Sequence, residues 1–209
     1  MIFYDCETAP NPRRARMAIA EKGVEVETKA ISITKGEQLS DAFRQINPRA
    51  TIPVLVTETG TALTENTAIA AYLEEIQPTP PLFGTGPDER ALVWQWNAIC
   101  EAQGGMAVGE ALRNGNPHMA NRALPGPQNY AQIPELAQRG LKRFAAFKDM
   151  LDTHLEGRDY IAVSSFSFAD ISAYVFCDFA RVIKMRVTDE HPHLKAWFDR
   201  VSERPSASA

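Results

Sequence analysis

Residues 51–76 read TIPVLVTETGTALTENTAIAAYLEEI, and the period of their apolar positions changes part-way along. Val54-Leu55-Val56 is a short apolar run entered through Ile52-Pro53, and Ala62-Leu63 is a second run beyond a polar turn that carries Gly60. Two such runs across a glycine-bearing turn predict a β-hairpin. From Thr64 the spacing lengthens: Ile69, Leu73 and Ile76 recur at three- and four-residue intervals, which is one face of a helix. Glu65, Asn66 and Thr67 then fall at the helix N-terminus, where unpaired backbone N–H groups and the positive end of the dipole face outward. A ligand carboxylate can dock there, and a ligand ammonium can pair with Glu65. The same residue types also serve as ordinary helix caps. Ile52-Pro53 adds weight to the binding reading, because a cis bond would hold the Ile52 backbone exposed beside Glu65 and Asn66. Trans is nevertheless the default for an X–Pro bond.

Working backwards, Ile2-Phe3-Tyr4 is a short strand candidate followed by a polar, turn-like segment from Cys6 to Asn11. Asn11-Pro12 reads as an N-cap followed by proline at the first helical position, and the helix continues through Ala15, Ala18 and Ile19 to Gly23. Val24, Val26, Thr28 and Ala30 alternate with charged residues, which predicts a half-buried strand. A helix over 38–46 ends at Asn47-Pro48. The order is therefore strand, helix, strand, helix, hairpin, helix. A βαβ unit followed by a ββα unit (βαβαββα) is the thioredoxin-like α/β plan, a small mixed sheet with helices on both faces.

Forward of Ile76 the composition turns to linker chemistry, Gln77-Pro78-Thr79-Pro80-Pro81 and then Gly84, Gly86 and Pro87. The expected division is 1–77, a linker at 78–87, and an all-helical bundle over 88–209. Helices are predicted over 88–113, 134–155, 168–183 and 191–203. Residues 114–132, with Gly115, Pro117, Pro125, Gly126 and Pro127, form a long irregular connection of the kind that is either functional or a flexible excursion. Ser167 and Asp170 have the spacing of a capping box at the start of the third of these helices, with Asp in place of the usual Glu or Gln.

The chain is 44% apolar and 23% charged, enough apolar material for a real core. Its net charge of −4 argues against nucleic-acid or anionic-membrane partners. No apolar run approaches membrane-spanning length, and MIFYDCETAP lacks the basic flank and apolar core of a signal peptide. Cys6, Cys100 and Cys177 form neither a CxxC nor a metal-spaced pair, so no metal is expected, and the odd, dispersed set suits a reducing, cytoplasmic location.

Five motifs in this order resemble the cytosolic glutathione S-transferases across nearly the whole chain. APNPRRARMAIAEKG is similar to that family's first helix, INPRATIPVLV to its cis-proline loop, and LTENTAIAAYL to the start of its γ-glutamyl-binding helix. Phe166 to Ile171 resembles its helix-capping motif and HPHLKAW its last helix. The resemblance implies glutathione as co-substrate, an electrophilic small molecule or a disulfide as second substrate, and a homodimer pairing the N-terminal half of one subunit with the helical half of the other. It also implies a detoxifying transferase. The alternative is a non-catalytic binding or scaffold protein that kept the fold.

By the same resemblance, Ile52, just before Pro53, exchanges backbone hydrogen bonds with the cysteinyl part of glutathione. Glu65 takes the γ-glutamyl ammonium and Asn66, where the family usually has serine, takes its carboxylate. Gln38 falls where relatives contact the glycine carboxylate; the competing reading is a solvated helix residue. The second substrate is expected against the helix starting near Asp88, with Trp94, Trp96, Gln103 and Met106 as candidates for its wall. Gly104 and Gly105 in that helix suggest close packing or a cavity.

The thiol-activating group is the departure. Theta- and zeta-like members carry a serine just before the first helix, and the corresponding positions here are Ala9 and Pro10. Asn11 instead falls where nu-like disulfide-reducing members carry asparagine, with Thr8 close by. An amide donor is sufficient. Lowering a thiol pKa by about two units needs roughly 2.7 kcal/mol, and hydrogen bonds to a charged group supply roughly 1.5–3 kcal/mol each. Cys6 is the rival nucleophile, although most free cysteines are small buried hydrophobes. Arg13, Arg14 and Arg16 read as a partly solvated helix face.

Overall fold

The computed structural model describes residues 1–209. Four strands, β1 (Ile2–Asp5), β2 (Glu27–Ala30), β3 (Val54–Val56) and β4 (Ala62–Leu63), form one sheet in the order β2-β1-β3-β4. β1 and β2 run parallel and need the crossover helix α1 (Pro10–Lys22), whereas β1–β3 and β3–β4 are antiparallel. The predicted hairpin forms with Leu55 opposite Leu63 and Val56 opposite Ala62. Its turn is closed by Thr57 N–H donating to the Thr61 carbonyl at 2.9 Å, and Gly60 supplies the left-handed backbone, φ 87°.

Side chains alternate across β1. Tyr4 meets Phe43 of α2 (Asp41–Ile46) edge-on, ring centroids 5.8 Å apart, while Phe3 is buried on the opposite side of the strand. α1 packs against α3 (Asn66–Ile76), and Met17, Ala18, Ile69, Ala70 and Leu73 are buried there. Lys22, at the end of α1, is buried too, with its ammonium bonded to the Pro80 carbonyl and paired with Glu74 of α3.

Three local expectations need correction. α1 begins at Pro10, with Ala9 as its N-cap, so Asn11 is the second helical residue rather than the cap. The second strand covers only Glu27–Ala30 and is exposed throughout; it is an edge strand bonded to β1 alone, so its alternation did not mark a buried face. The segment around Gln38 is a separate 3₁₀ turn, Glu37–Leu39, and Ser40 caps α2 by accepting from the Phe43 N–H at 3.2 Å.

The helical part comprises α4 (Pro87–Ile99), α5 (Met106–Gly115), α6 (Pro134–His154), α7 (Phe168–Phe179) and α8 (Pro192–Ser202). A π-helical stretch, Cys100–Gly105, joins α4 to α5, so the predicted single helix over 88–113 changes its winding in the middle. Gly104 and Gly105 are there for close packing. A Cβ on Gly104 would lie 2.7 Å from the Phe147 ring, and one on Gly105 would lie 2.6 Å from the Phe176 ring.

The capping-box spacing is realised at α7: the Ser167 N–H and hydroxyl both donate to Asp170 Oδ2, at 3.0 and 2.7 Å. Asp170 Oδ1 accepts from the Ile161 N–H and from Trp197 Nε1 of α8, both at 2.9 Å. One buried carboxylate thereby ties a loop, a helix start and a neighbouring helix together.

The chain divides into two compact units, one of residues 1–80 with 124–129 and Ala209, the other of residues 81–123 and 130–208. Part of the irregular 114–132 connection therefore packs with the first unit, and Gly126 lies beside the Arg49 carbonyl. Its neck is pinned in the second unit: Gln132 Nε2 donates to the Arg113 and Asn116 carbonyls, each at 2.7 Å. No helix is long and apolar enough to cross a membrane.

Candidate functional site

Three elements of the first unit bring the predicted residues into place: the loop from β1 into α1, the loop from α2 into β3, and the first turn of α3. The first is braced by Arg16, whose guanidinium pairs with Asp5 at 2.6 Å and donates to the carbonyls of Cys6 and Glu7 at 3.4 and 3.2 Å. That fixes the backbone leading into Thr8. Cys6 is buried beneath the loop, its sulfur 3.5 Å from the Thr8 hydroxyl.

The second loop carries Ile52-Pro53, and the bond is cis. Asn47, read in the sequence only as a helix stop, is the residue that shapes this loop. Its Nδ2 donates to the Thr51 carbonyl at 2.8 Å and to the Thr51 hydroxyl at 3.0 Å, and its Oδ1 accepts from the Arg49 N–H at 3.0 Å. Ala50 sits between them with φ 52°, a left-handed conformation that a non-glycine residue adopts only when its surroundings hold it there. The Ile52 backbone is presented at the end of this constrained segment.

The third element joins the first. Asn66, the first residue of α3, is 6% exposed and donates from Nδ2 to Asn11 Oδ1 at 3.4 Å. Arg14 donates to the same oxygen at 3.5 Å. With its oxygen accepting from two donors, one of them cationic, Asn11 has its Nδ2 group as the donor left for a ligand. Arg14 is 2% exposed and not part of a solvated face, which corrects that reading. Its charge is held against the amide, where it polarises Asn11 toward donation. Glu65, the N-cap of α3, makes no capping bond and pairs instead with Arg49, both side chains being well exposed. An ion pair so open to water is worth at most about 1 kcal/mol, so Glu65 can be recruited by another cation at little cost.

Gln38 is 7% exposed, which removes the solvated-helix reading. Its Oε1 is buried without a hydrogen-bond partner, as are Asn66 Oδ1 and His191 Nδ1. A buried polar atom without a partner costs about 1–3 kcal/mol. Two of these three atoms belong to residues, Gln38 and Asn66, for which the family resemblance implies ligand contact.

The remaining candidates lie in the second unit. Trp94 of α4 is partly exposed and stacks on Phe83, ring centroids 4.8 Å apart, while Trp96 covers His154. Gln103 and Met106 are exposed on the π-helical stretch and at the start of α5. No group of three or more His, Cys, Asp or Glu side chains is arranged to hold a metal ion.

A thioredoxin-like unit with a cis-proline loop facing a polar helix start, followed by an all-helical unit, defines a glutathione-transferase architecture. Residues 8–76 match the glutathione S-transferase N-terminal domain and residues 117–205 its C-terminal domain. The chain is 34% identical to glutathione S-transferase 2 of Saccharomyces cerevisiae over 99% of its own length and 87% of that protein's. The crystal structure of Gtt2 from Saccharomyces cerevisiae superposes with a TM-score of 0.90 at 32% identity, covering 100% of this chain and 99% of that one. A glutathione S-transferase domain-containing protein of Marinobacter aquaeolei VT8 also gives 0.90 at 32% identity, with 99% of each chain covered. The chain belongs to the glutathione S-transferase family and is a glutathione transferase.

Proposed function

We propose that the chain binds glutathione on its first unit and uses the Asn11 amide to hold the thiol as thiolate for attack on a small electrophile or a disulfide. The observation that carries this reading is the pair of unsatisfied buried amides at Gln38 and Asn66. In this reading the tripeptide donates to Asn66 Oδ1, and the Gln38 amide turns over so that its N–H₂ takes the buried position and donates to the tripeptide. The helix N-terminus at Asn66 receives the γ-glutamyl carboxylate, with Asn66 Oδ1 and Glu65 accepting from the ammonium. The Ile52 backbone before Pro53 meets the cysteinyl amide, and Gln38, turned to present its N–H₂, meets the glycine carboxylate.

The sulfur then lies at the start of α1. The thiol proton leaves to solvent, and Asn11 Nδ2, the dipole of α1 and the nearby Thr8 hydroxyl stabilise the anion. The thiolate forms a new bond to the electrophilic carbon as the leaving group departs with its electron pair. With a disulfide the same attack displaces a thiolate and leaves a mixed disulfide for a second glutathione to resolve. Trp94, Gln103 and Met106 are the proposed contacts of the second substrate. The protein works as a cytoplasmic homodimer in detoxification.

Turnover of a model haloarene and of a model mixed disulfide, each with glutathione, separates the two chemistries. The transferase reading requires the first and the reductase reading the second; no turnover of either would sink the proposed role of Asn11. Light scattering should give twice the 23.1 kDa chain mass at micromolar concentration. A monomer mass removes the dimer.

A further inference from the structure

Outside the site described above, the second unit holds an open pocket of about 490 Å³ with a buried cation in its wall. Lys148 of α6 is 7% exposed, and its ammonium makes one long hydrogen bond, 3.4 Å to the Arg186 carbonyl. It forms no ion pair. Burying an ammonium with so little compensation is strongly unfavourable, and folded proteins ordinarily supply a carboxylate or several acceptors.

Arg181, Lys184 and Arg186 line the same pocket, against one acid, Glu190. Of these cations only Arg181 is paired, with Asp178 at 2.7 Å, while Glu190 accepts a 3.5 Å bond from the Thr188 hydroxyl. The concentration of positive charge is local, since the chain as a whole carries −4.

Ordinary causes explain part of this cluster. Arg181 and Lys184 follow the C-terminus of α7, where cations offset the helix dipole, and Arg186 is solvated. None of these causes reaches Lys148, which comes from a different helix and is buried in the pocket wall.

We propose that this pocket is an anion site for a phosphate group, free or as a phosphomonoester. Ammonium and guanidinium donors enter it from α6 and from the connection between α7 and α8, an arrangement that makes several charge-assisted hydrogen bonds to one tetrahedral dianion. The volume is enough for the phosphate and a small attached group. The inference is independent of how glutathione is held.

The test is titration of inorganic phosphate into the full chain, followed by calorimetry and ³¹P line broadening, with chloride at matched ionic strength as the control. Saturable binding in the millimolar range is expected. Lys148→Met removes the charge at similar length and should weaken it about tenfold, the loss of one charge-assisted hydrogen bond. The double substitution Lys184→Gln with Arg186→Gln alters only exposed positions, so it keeps the test open should Lys148→Met fail to fold. It should weaken binding as well. Phenyl phosphate binding more tightly than inorganic phosphate identifies a monoester site; equal affinities identify a free-phosphate site. Absence of saturable phosphate binding overturns the proposal, and so does binding that the double substitution leaves unchanged.

Discussion

Helices α3 and α7 both begin with short polar side chains, Glu65-Asn66 in one and Ser167 with Asp170 in the other. At α7 the groups answer one another. Both oxygens of Asp170 are occupied, by Ser167 twice, by the Ile161 N–H and by Trp197. Burial pushes the Asp170 carboxyl above the ordinary aspartate range, and these four donors pull against that shift. At α3 the groups are left open. Asn66 makes one 3.4 Å bond and keeps a buried oxygen without a partner, while Glu65 is turned outward to Arg49. A closed network contributes stability; an open one costs stability and is retained where a ligand completes it.

The comparison is easiest to break at α7. Asp170→Ala leaves four donors unanswered in the interior, so unfolding in denaturant should show a loss of about 3–5 kcal/mol. Glutathione affinity of the remaining folded protein should stay near that of the parent. Unchanged stability together with lost affinity would reverse the roles assigned to the two helix starts.

Next in size is Asn11→Ala. Removing one charge-assisted hydrogen bond to the thiolate should cost roughly 1.5–3 kcal/mol, or about 10- to 150-fold in rate at neutral pH. Binding should fall much less, because the rest of the tripeptide is held elsewhere. Raising the pH should partly restore the rate, since more of the bound thiol then ionises without help. The thiolate absorbs in the near ultraviolet and can be titrated on the protein. An unchanged thiol pKa would move attention to Thr8 and Cys6.

Asn66→Ala sharpens the contrast from the other side. It deletes a buried acceptor that has no partner, so stability should change by less than about 1 kcal/mol. Glutathione affinity should nevertheless drop about tenfold, the equivalent of one hydrogen bond to a charged ligand group. Large destabilisation with unaltered affinity would make the first turn of α3 a cap and nothing more.

The smallest expected signal comes from α7 itself. Burial pushes the Cys177 thiol up to about 12, with the Lys148 charge opposing it and Asp178 adding to it. Ellman's reagent at pH 8 should therefore leave Cys177 unmodified in the native protein and react with it in denaturant. Rapid native modification would mean that the interior behind the α7 cap is not closed.

Patterning exposed most of the architecture because secondary-structure period and turn chemistry are local. The hairpin, the helix start at Asn66 and the capping-box spacing of Ser167 and Asp170 each depend on residues a few positions apart. The misreadings fall where partners come from afar. Val24 to Ala30 alternates like a buried strand, but sheet order makes β2 an edge. Arg14 and Gln38 look like surface residues until the packing around them buries both. Asn47 and Arg16 left no signal beyond a helix stop and a basic cluster, since their work is to hold loop backbone that only the folded chain brings to them.

The sequence by itself determined the thioredoxin-like order of elements, the helical second half and the identity of the residues around Ile52-Pro53 and Glu65-Asn66. Spacing along the chain is enough to specify these. Tertiary structure decided which polar atoms are satisfied: Asn66 reaching Asn11 across 55 positions, Asp170 reaching Trp197 across 27, and Lys148 left nearly alone in a basic pocket. Hydrogen-bond satisfaction is a property of three-dimensional neighbourhoods, and here it distinguishes a helix start that stabilises the fold from one that is open to a ligand.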